Sequence, residues 1–209
     1  MNHDLSWKFA EEFVPESPAI TLARQHSHEL GIEAVSPGVA AQLRVLAAAS
    51  GARSILEIGT GAGVSGLALL DGAPEAILTT IDVEPDHQQS ARQSLLAAGI
   101  PANQLRLIAG RALDVLPRMN DGAYDLVVVD ADTTSLLAYV EHALRIARAG
   151  GLVLVPHALW RGKVADPVQR DDTVAEFRAL LGAIGESETH TVALSTSGDG
   201  LLQLVTRAG

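Results

Sequence analysis

An α/β fold, with a doubly wound and mostly parallel seven-stranded sheet, follows from three features of this sequence. From Ser54 onward, β-type and helical segments alternate, which places crossover helices between parallel strands. A glycine-rich turn, Gly59-Thr60-Gly61-Ala62-Gly63, separates the first strand from its helix. Two late β-type runs are joined by Gly198-Asp199-Gly200, a hairpin turn sequence that brings one antiparallel strand into the sheet.

The elements read in order as follows. Leu5 to Phe13, Ile20 to Leu30 and Val39 to Ala49 have helical spacing. Pro15 and Pro18 separate the first two, and Ser36-Pro37 introduces the third. These residues form an N-terminal helical extension over residues 1–50 of a single domain spanning 1–209, since no linker sets them apart. Trp7, Phe9 and Phe13 are expected to pack on a neighbouring helix or a partner subunit. The strand Ser54–Ile58 leads into helix Val64–Leu70, and strand Ile77–Ile81 into helix Pro85–Ala98. Strand Leu105–Ala109 precedes a short helix, Ala112–Met119. Strand Asp125–Val129 precedes helix Ser135–Ala149, and strand Leu152–Val155 precedes helix Asp171–Gly185. The hairpin strands are Thr189–Ser195 and Leu201–Thr206.

Composition narrows the function. The chain has 209 residues, 47% hydrophobic and 19% charged, enough for one sizeable core. Its net charge of −10, with no basic run, argues against nucleic acid or an anionic membrane as partner. Without cysteines there are no disulfides, thiolate metal sites or cysteine nucleophiles. No secretory signal or bilayer-length apolar run is visible, so a cytoplasmic location is expected.

The glycine turn fits two cofactors. Gly61 to Gly66 matches the dinucleotide pattern G-x-G-x-x-G. Read from Glu57, the same residues give E-x-G-x-G-x-G. Register separates them: the strand ends at Ile58, so Gly59 opens the turn, and a dinucleotide loop would begin two residues late. Asp82, at the next strand end, is placed to accept hydrogen bonds from ribose hydroxyls, or to cap the following helix. Gly110-Arg111-Ala112, Asp130-Ala131-Asp132 and Pro156-His157 follow the third, fourth and fifth strands. All face the crevice where doubly wound sheets bind ligands.

Several ordered marks together resemble the cation-dependent small-molecule O-methyltransferases, the group of catechol and caffeoyl-CoA O-methyltransferases. They are Leu56-Glu57-Ile58-Gly59, Thr80-Ile81-Asp82, the run Tyr124 to Asp132, Ala149-Gly150-Gly151, Leu159-Trp160-Arg161-Gly162 and Gly198-Asp199-Gly200. The resemblance implies a Rossmann-like fold that binds S-adenosylmethionine (SAM) and releases S-adenosylhomocysteine (SAH). It implies that Glu57, Gly59, Gly61 and Ser65 line the methionine end, with Val35, Gly63 and Arg111 as further contacts. Asp82 would hold the ribose, Ala112 the adenine, and Asp130 would lie near the sulfonium. It also suggests a homodimer.

The sequence departs from that family at the metal. The family binds a divalent cation through the first Asp of D-A-D-K and an Asp-Asn pair after the next strand. Here Asp130 remains, but the pair is Pro156-His157 and the lysine is Thr133. One carboxylate and one imidazole make a poor Mg²⁺ site and would better suit Zn²⁺ or Mn²⁺. The expected function is therefore methyl transfer from SAM to an oxygen of a small-molecule acceptor without Mg²⁺. His157, as a neutral imidazole of ordinary pKa near 6.5, and Asp132 are the candidate bases, with Asp130 beside them. A nicotinamide-dependent dehydrogenase is the alternative from another class, although neither a Tyr-x-x-x-Lys nor a His–Asp pair is legible. A SAM-binding protein without catalysis is the third reading.

Overall fold

The computed structural model describes residues 3–187 and 189–207. Three helices precede the sheet: α1 (His3–Glu12), α2 (Pro18–Glu29) and α3 (Pro37–Ser50). Ser17 and Ser36 cap α2 and α3 by accepting the amides of Ile20 and Val39, with proline at the first turn of each.

The sheet order is β3-β2-β1-β4-β5-β7-β6. The central strands are β1 (Ser54–Ile58), β2 (Ile77–Asp82), β3 (Leu105–Ala109), β4 (Tyr124–Val129) and β5 (Ala147–Pro156). All are mutually parallel, while β7 (Leu201–Thr206) runs antiparallel to both β5 and β6 (His190–Ser195). Their alternating side chains feed two cores. Ile55, Leu126 and Val128 face α2, α3 and α4 (Val64–Gly72). Leu56, Ile58, Val127 and Val129 face α7 (Leu136–Ile146) and α8 (Asp172–Gly185). With both faces covered, β4 needs the unbroken apolar run Leu126 to Val129, and β1 is apolar from Ile55 to Ile58 but for the buried Glu57.

Three boundaries differ from the expectation by more than two residues. Helix α6 is only Ala112–Val115, because Pro117 turns the chain into a 3₁₀ segment at Leu116–Arg118. Helix α7 stops at Ile146, and β5 starts at Ala147 rather than Leu152. Ala147 is already extended and pairs with Tyr124, and Gly150, at φ of +71°, lies in the register shift before Leu152 pairs with Leu126. The remaining helix, α5 (Pro85–Ala97), follows the expected span.

Trp7 and Glu11 dock α1 on the rest of the chain. The Trp7 indole donates to the Gly198 carbonyl, and the Glu11 carboxylate accepts the amides of Gly38 and Gly198. Phe9 and Phe13 stay outside this contact, each 69% exposed. Among the described residues, no helix is long and apolar enough to cross a membrane.

Candidate functional site

The strand order reverses between β1 and β4, so their carboxyl ends part and leave a crevice. A cavity of about 500 Å³ opens there, within the size range of small-molecule sites. Val35, Gly59, Gly61, Ser65, Asp82, Arg111, Ala112, Asp130 and Asp132 all line it. The topology thus brings together most of the residues expected to hold the cofactor.

Gly59 is fixed by two constraints. Its φ is +94°, and a Cβ there would lie 1.8 Å from the Asp130 carbonyl oxygen. Only glycine lets the turn after β1 pass so close to the end of β4. Asp82 then holds the turn in shape: its Oδ2 accepts the amides of Thr60 at 2.9 Å and Gly61 at 3.1 Å, and its Oδ1 accepts that of Glu84 at 2.9 Å. The expected ribose ligand is therefore also the clamp of the glycine turn, a role not visible from spacing.

Glu57 and Gly63 do not line the cavity. Glu57 is wholly buried beneath the turn, so the expectation that it lines the methionine end is replaced by a supporting role. Ser65 donates to one of its oxygens at 2.6 Å and Thr80 to the other at 2.7 Å. Gln88 donates to Thr60 Oγ1, which pairs with Thr80 Oγ1, so one chain of polar groups ties β1, β2, α4, α5 and the turn together. Burial pushes the Glu57 carboxyl up to about 7 against these two hydrogen bonds, which favour the charged form. Gly63 packs behind the turn, against Ala91.

Asp132 is not placed as a base. Its oxygens are taken by Thr134 Oγ1 at 2.6 Å and Tyr139 Oη at 2.5 Å. Partial burial would raise its pKa, but the hydrogen bonds outweigh this and hold the carboxyl below its ordinary value. Tyr139 and His87 also line the cavity, and neither was legible as a site residue. Tyr139 sits in the first turn of α7, seven residues past Asp132, which lies before the helix, so no helical spacing pointed to it.

His157 faces a second cavity, of about 530 Å³, shared with Trp7, Glu33, Arg161 and Asp199. Its Nδ1 is 2.7 Å from Asp199 Oδ1, and its Nε2 is 3.7 Å from Asp130 Oδ1. A His–Asp pair therefore exists, contrary to the sequence reading. Burial alone would lower the imidazole pKa, but the Asp199 hydrogen bond and the charges of Asp130, Asp199 and Glu33 raise it to about 9. At neutral pH His157 is an imidazolium, so the neutral base expected from its ordinary pKa is not present. Asp130 moves the other way from Asp132: burial raises its pKa, and the His157 charge only partly offsets this.

The donors beside Asp130 do not fit a Mg²⁺ ion. Pro156 offers no side-chain donor, and His157 presents a cation where an amide oxygen would be needed. Among the described residues, no group of three or more histidine or acidic side chains is arranged to hold an ion.

A family model described as O-methyltransferase matches residues 17–208. A Mycobacterium tuberculosis protein named "Probable O-methyltransferase Rv1220c" is 44% identical over 200 residues, covering 95% of this chain and 89% of that one. The O-methyltransferase TomG of Streptomyces achromogenes, solved with SAM and involved in tomaymycin synthesis, is 31% identical with a TM-score of 0.84, covering both chains fully (100% each). An O-methyltransferase of Bacillus cereus, solved with SAH, is 25% identical with a TM-score of 0.82, covering 98% of this chain and 97% of that one.

Proposed function

This chain belongs to the O-methyltransferase family, and from that membership we propose that it methylates an oxygen of a small-molecule acceptor without a resident Mg²⁺. The observation that carries the cofactor assignment is the turn at Gly59, closed by Asp82 over a cavity of suitable size. When bound there, SAM supplies an electrophilic methyl group on a sulfonium. The glycine turn and the first turn of α4, which exposes amides and the positive end of the helix dipole, suit its carboxylate. Asp82 Oδ1 has one lone pair left for a ribose hydroxyl, and Ala112 and Tyr139 offer surface for the adenine.

The protein's own contribution is alignment of the acceptor oxygen with the methyl carbon. Asp130 is the group we assign to take the acceptor's proton. Burial makes it a stronger base than an ordinary carboxylate, and it borders both the cofactor cavity and His157. The exposed pair Phe9 and Phe13 suits a homodimer, an idea that a monomer mass in light scattering would remove.

Calorimetric titration tests the cofactor assignment. SAH should bind and NAD should not. Binding of NAD with no response to SAH would overturn it.

A further inference from the structure

His157 carries a feature that a base role does not explain. Its Nε2 is buried and has no hydrogen-bond partner, and the nearest acceptor, Asp130 Oδ1, is too far at 3.7 Å. A buried N–H left in this way is costly unless a ligand satisfies it. The ring is also held firmly from behind. Nδ1–H donates to Asp199 Oδ1 at 2.7 Å, which leaves Nε2, on the Asp130 side, as the ring's unpaired donor.

Asp199 is itself fixed by the backbone. The hairpin turn between β6 and β7 packs directly on the loop after β5. Ala158 and Leu159 donate their amides to the carbonyls of Gly200 and Asp199, and Arg161 donates its amide to Asp199 Oδ2. A Cβ on Gly200 would fall 2.5 Å from the Leu159 nitrogen, so the approach needs glycine. The loop takes this path with three non-glycine residues at positive φ: His157 at +59°, Trp160 at +44° and Arg161 at +55°. Such strain gathered over five residues beside a ligand cavity indicates a position that the fold constrains.

The charged groups facing the ring come from every neighbouring element. They are Asp130 after β4, Asp199 in the hairpin turn and Glu33 ahead of α3, with Arg161 turned away into an ion pair with Glu33. The ring thus lines the second cavity, with Asp130 of the first cavity 3.7 Å from its Nε2, as a buried positive charge with one donor to spare.

We propose that His157, oriented by Asp199, is the anion-binding group of the acceptor site, donating its Nε2–H to an ionised acceptor oxygen of the phenolate type. A fixed organic cation then takes the place that an oxygen-coordinated metal ion would occupy. His157 touches the substrate in this scheme, and Asp199 is a positioning residue. The proposal rests on the methyltransferase reading and specifies its acceptor as one held as an anion once its proton has passed to Asp130.

The test uses the full chain with SAH and the probe 4-nitrophenol, whose visible absorbance reports its ionisation directly. SAH binding is verified first by calorimetry. The bound phenol should ionise about one pH unit or more below the free compound, equivalent to about tenfold tighter binding of the phenolate. His157→Gln should abolish that shift. Asp199→Asn, which keeps an oxygen facing Nδ1 but removes its charge, should return the bound phenol most of the way to its free pKa, and it carries the test if His157→Gln does not fold. A bound phenol with unchanged ionisation, a shift retained in either variant, or no phenol binding while SAH binds would overturn the proposal and leave the methyltransferase reading standing. Failure of SAH to bind would overturn both.

Discussion

The two halves of the crevice are built by different means. The cofactor half is local: strand β1, the turn at Gly59, Asp82 and the start of α4 lie within about thirty residues. Its polar side chains are mostly paired among themselves, from Gln88 Nε2 through Thr60 and Thr80 to Glu57, with Gln88 Oε1 left over. The acceptor half is assembled from distant segments: Trp7, Glu33, His157, Arg161 and Asp199. Its central group keeps one hydrogen-bonding position open, at His157 Nε2. A half whose side chains mostly hold one another suits a ligand held the same way every time. A half with an open donor suits the group that varies and reacts.

The contrast is broken most severely at Gly59. Gly59→Ala must take φ of +94° and place a Cβ 1.8 Å from a backbone oxygen. It should cost more than about 3 kcal/mol of stability and abolish SAH binding, as measured by chemical denaturation and calorimetry. A variant of wild-type stability that binds SAH would show that the turn does not need this path.

Asp82 comes next. Asp82→Ala removes a clamp on three amides and a ribose acceptor, and should weaken SAH binding by about 1.5–3 kcal/mol. Asp82→Asn keeps part of the clamp but loses the charge, and should fall between. Equal affinity for all three proteins would remove Asp82 from the cofactor site.

The smallest effect probes the acceptor half. The His157 pKa is raised from its ordinary 6.5 to about 9 in the folded protein. Its charge therefore stabilises the fold fully below about pH 6.5, and that contribution is lost as pH rises through about 9. Thermal melts should show wild type losing stability over this interval relative to His157→Gln. Parallel pH profiles would mean that the ring is not held as a cation.

The same division decided what could be read from the sequence. The alternation of elements, the hairpin and the register of the glycine turn depend on residues close in the chain, and they were legible. Val35, Ser65, Asp82, Arg111, Ala112 and Asp130 fell into one cavity as the resemblance implied. Glu57 was misplaced because spacing puts it beside the turn but cannot tell whether a strand side chain points at the ligand or beneath it. His157 was misjudged because its partner is 42 residues away. The turn Gly198-Asp199-Gly200 was visible only as a turn. That Asp199 reaches His157 depends on β7 inserting between β5 and β6, a pairing that no local pattern encodes.

Methyl transfer without Mg²⁺ is tested most directly by offering a panel of phenols, catechols and acyl esters with isotope-labelled SAM, with and without EDTA. Label should pass to the oxygen of at least one phenolic acceptor, at a rate that EDTA leaves unchanged. No labelled product from any acceptor, or a product that EDTA abolishes and added Mg²⁺ restores, would contradict it.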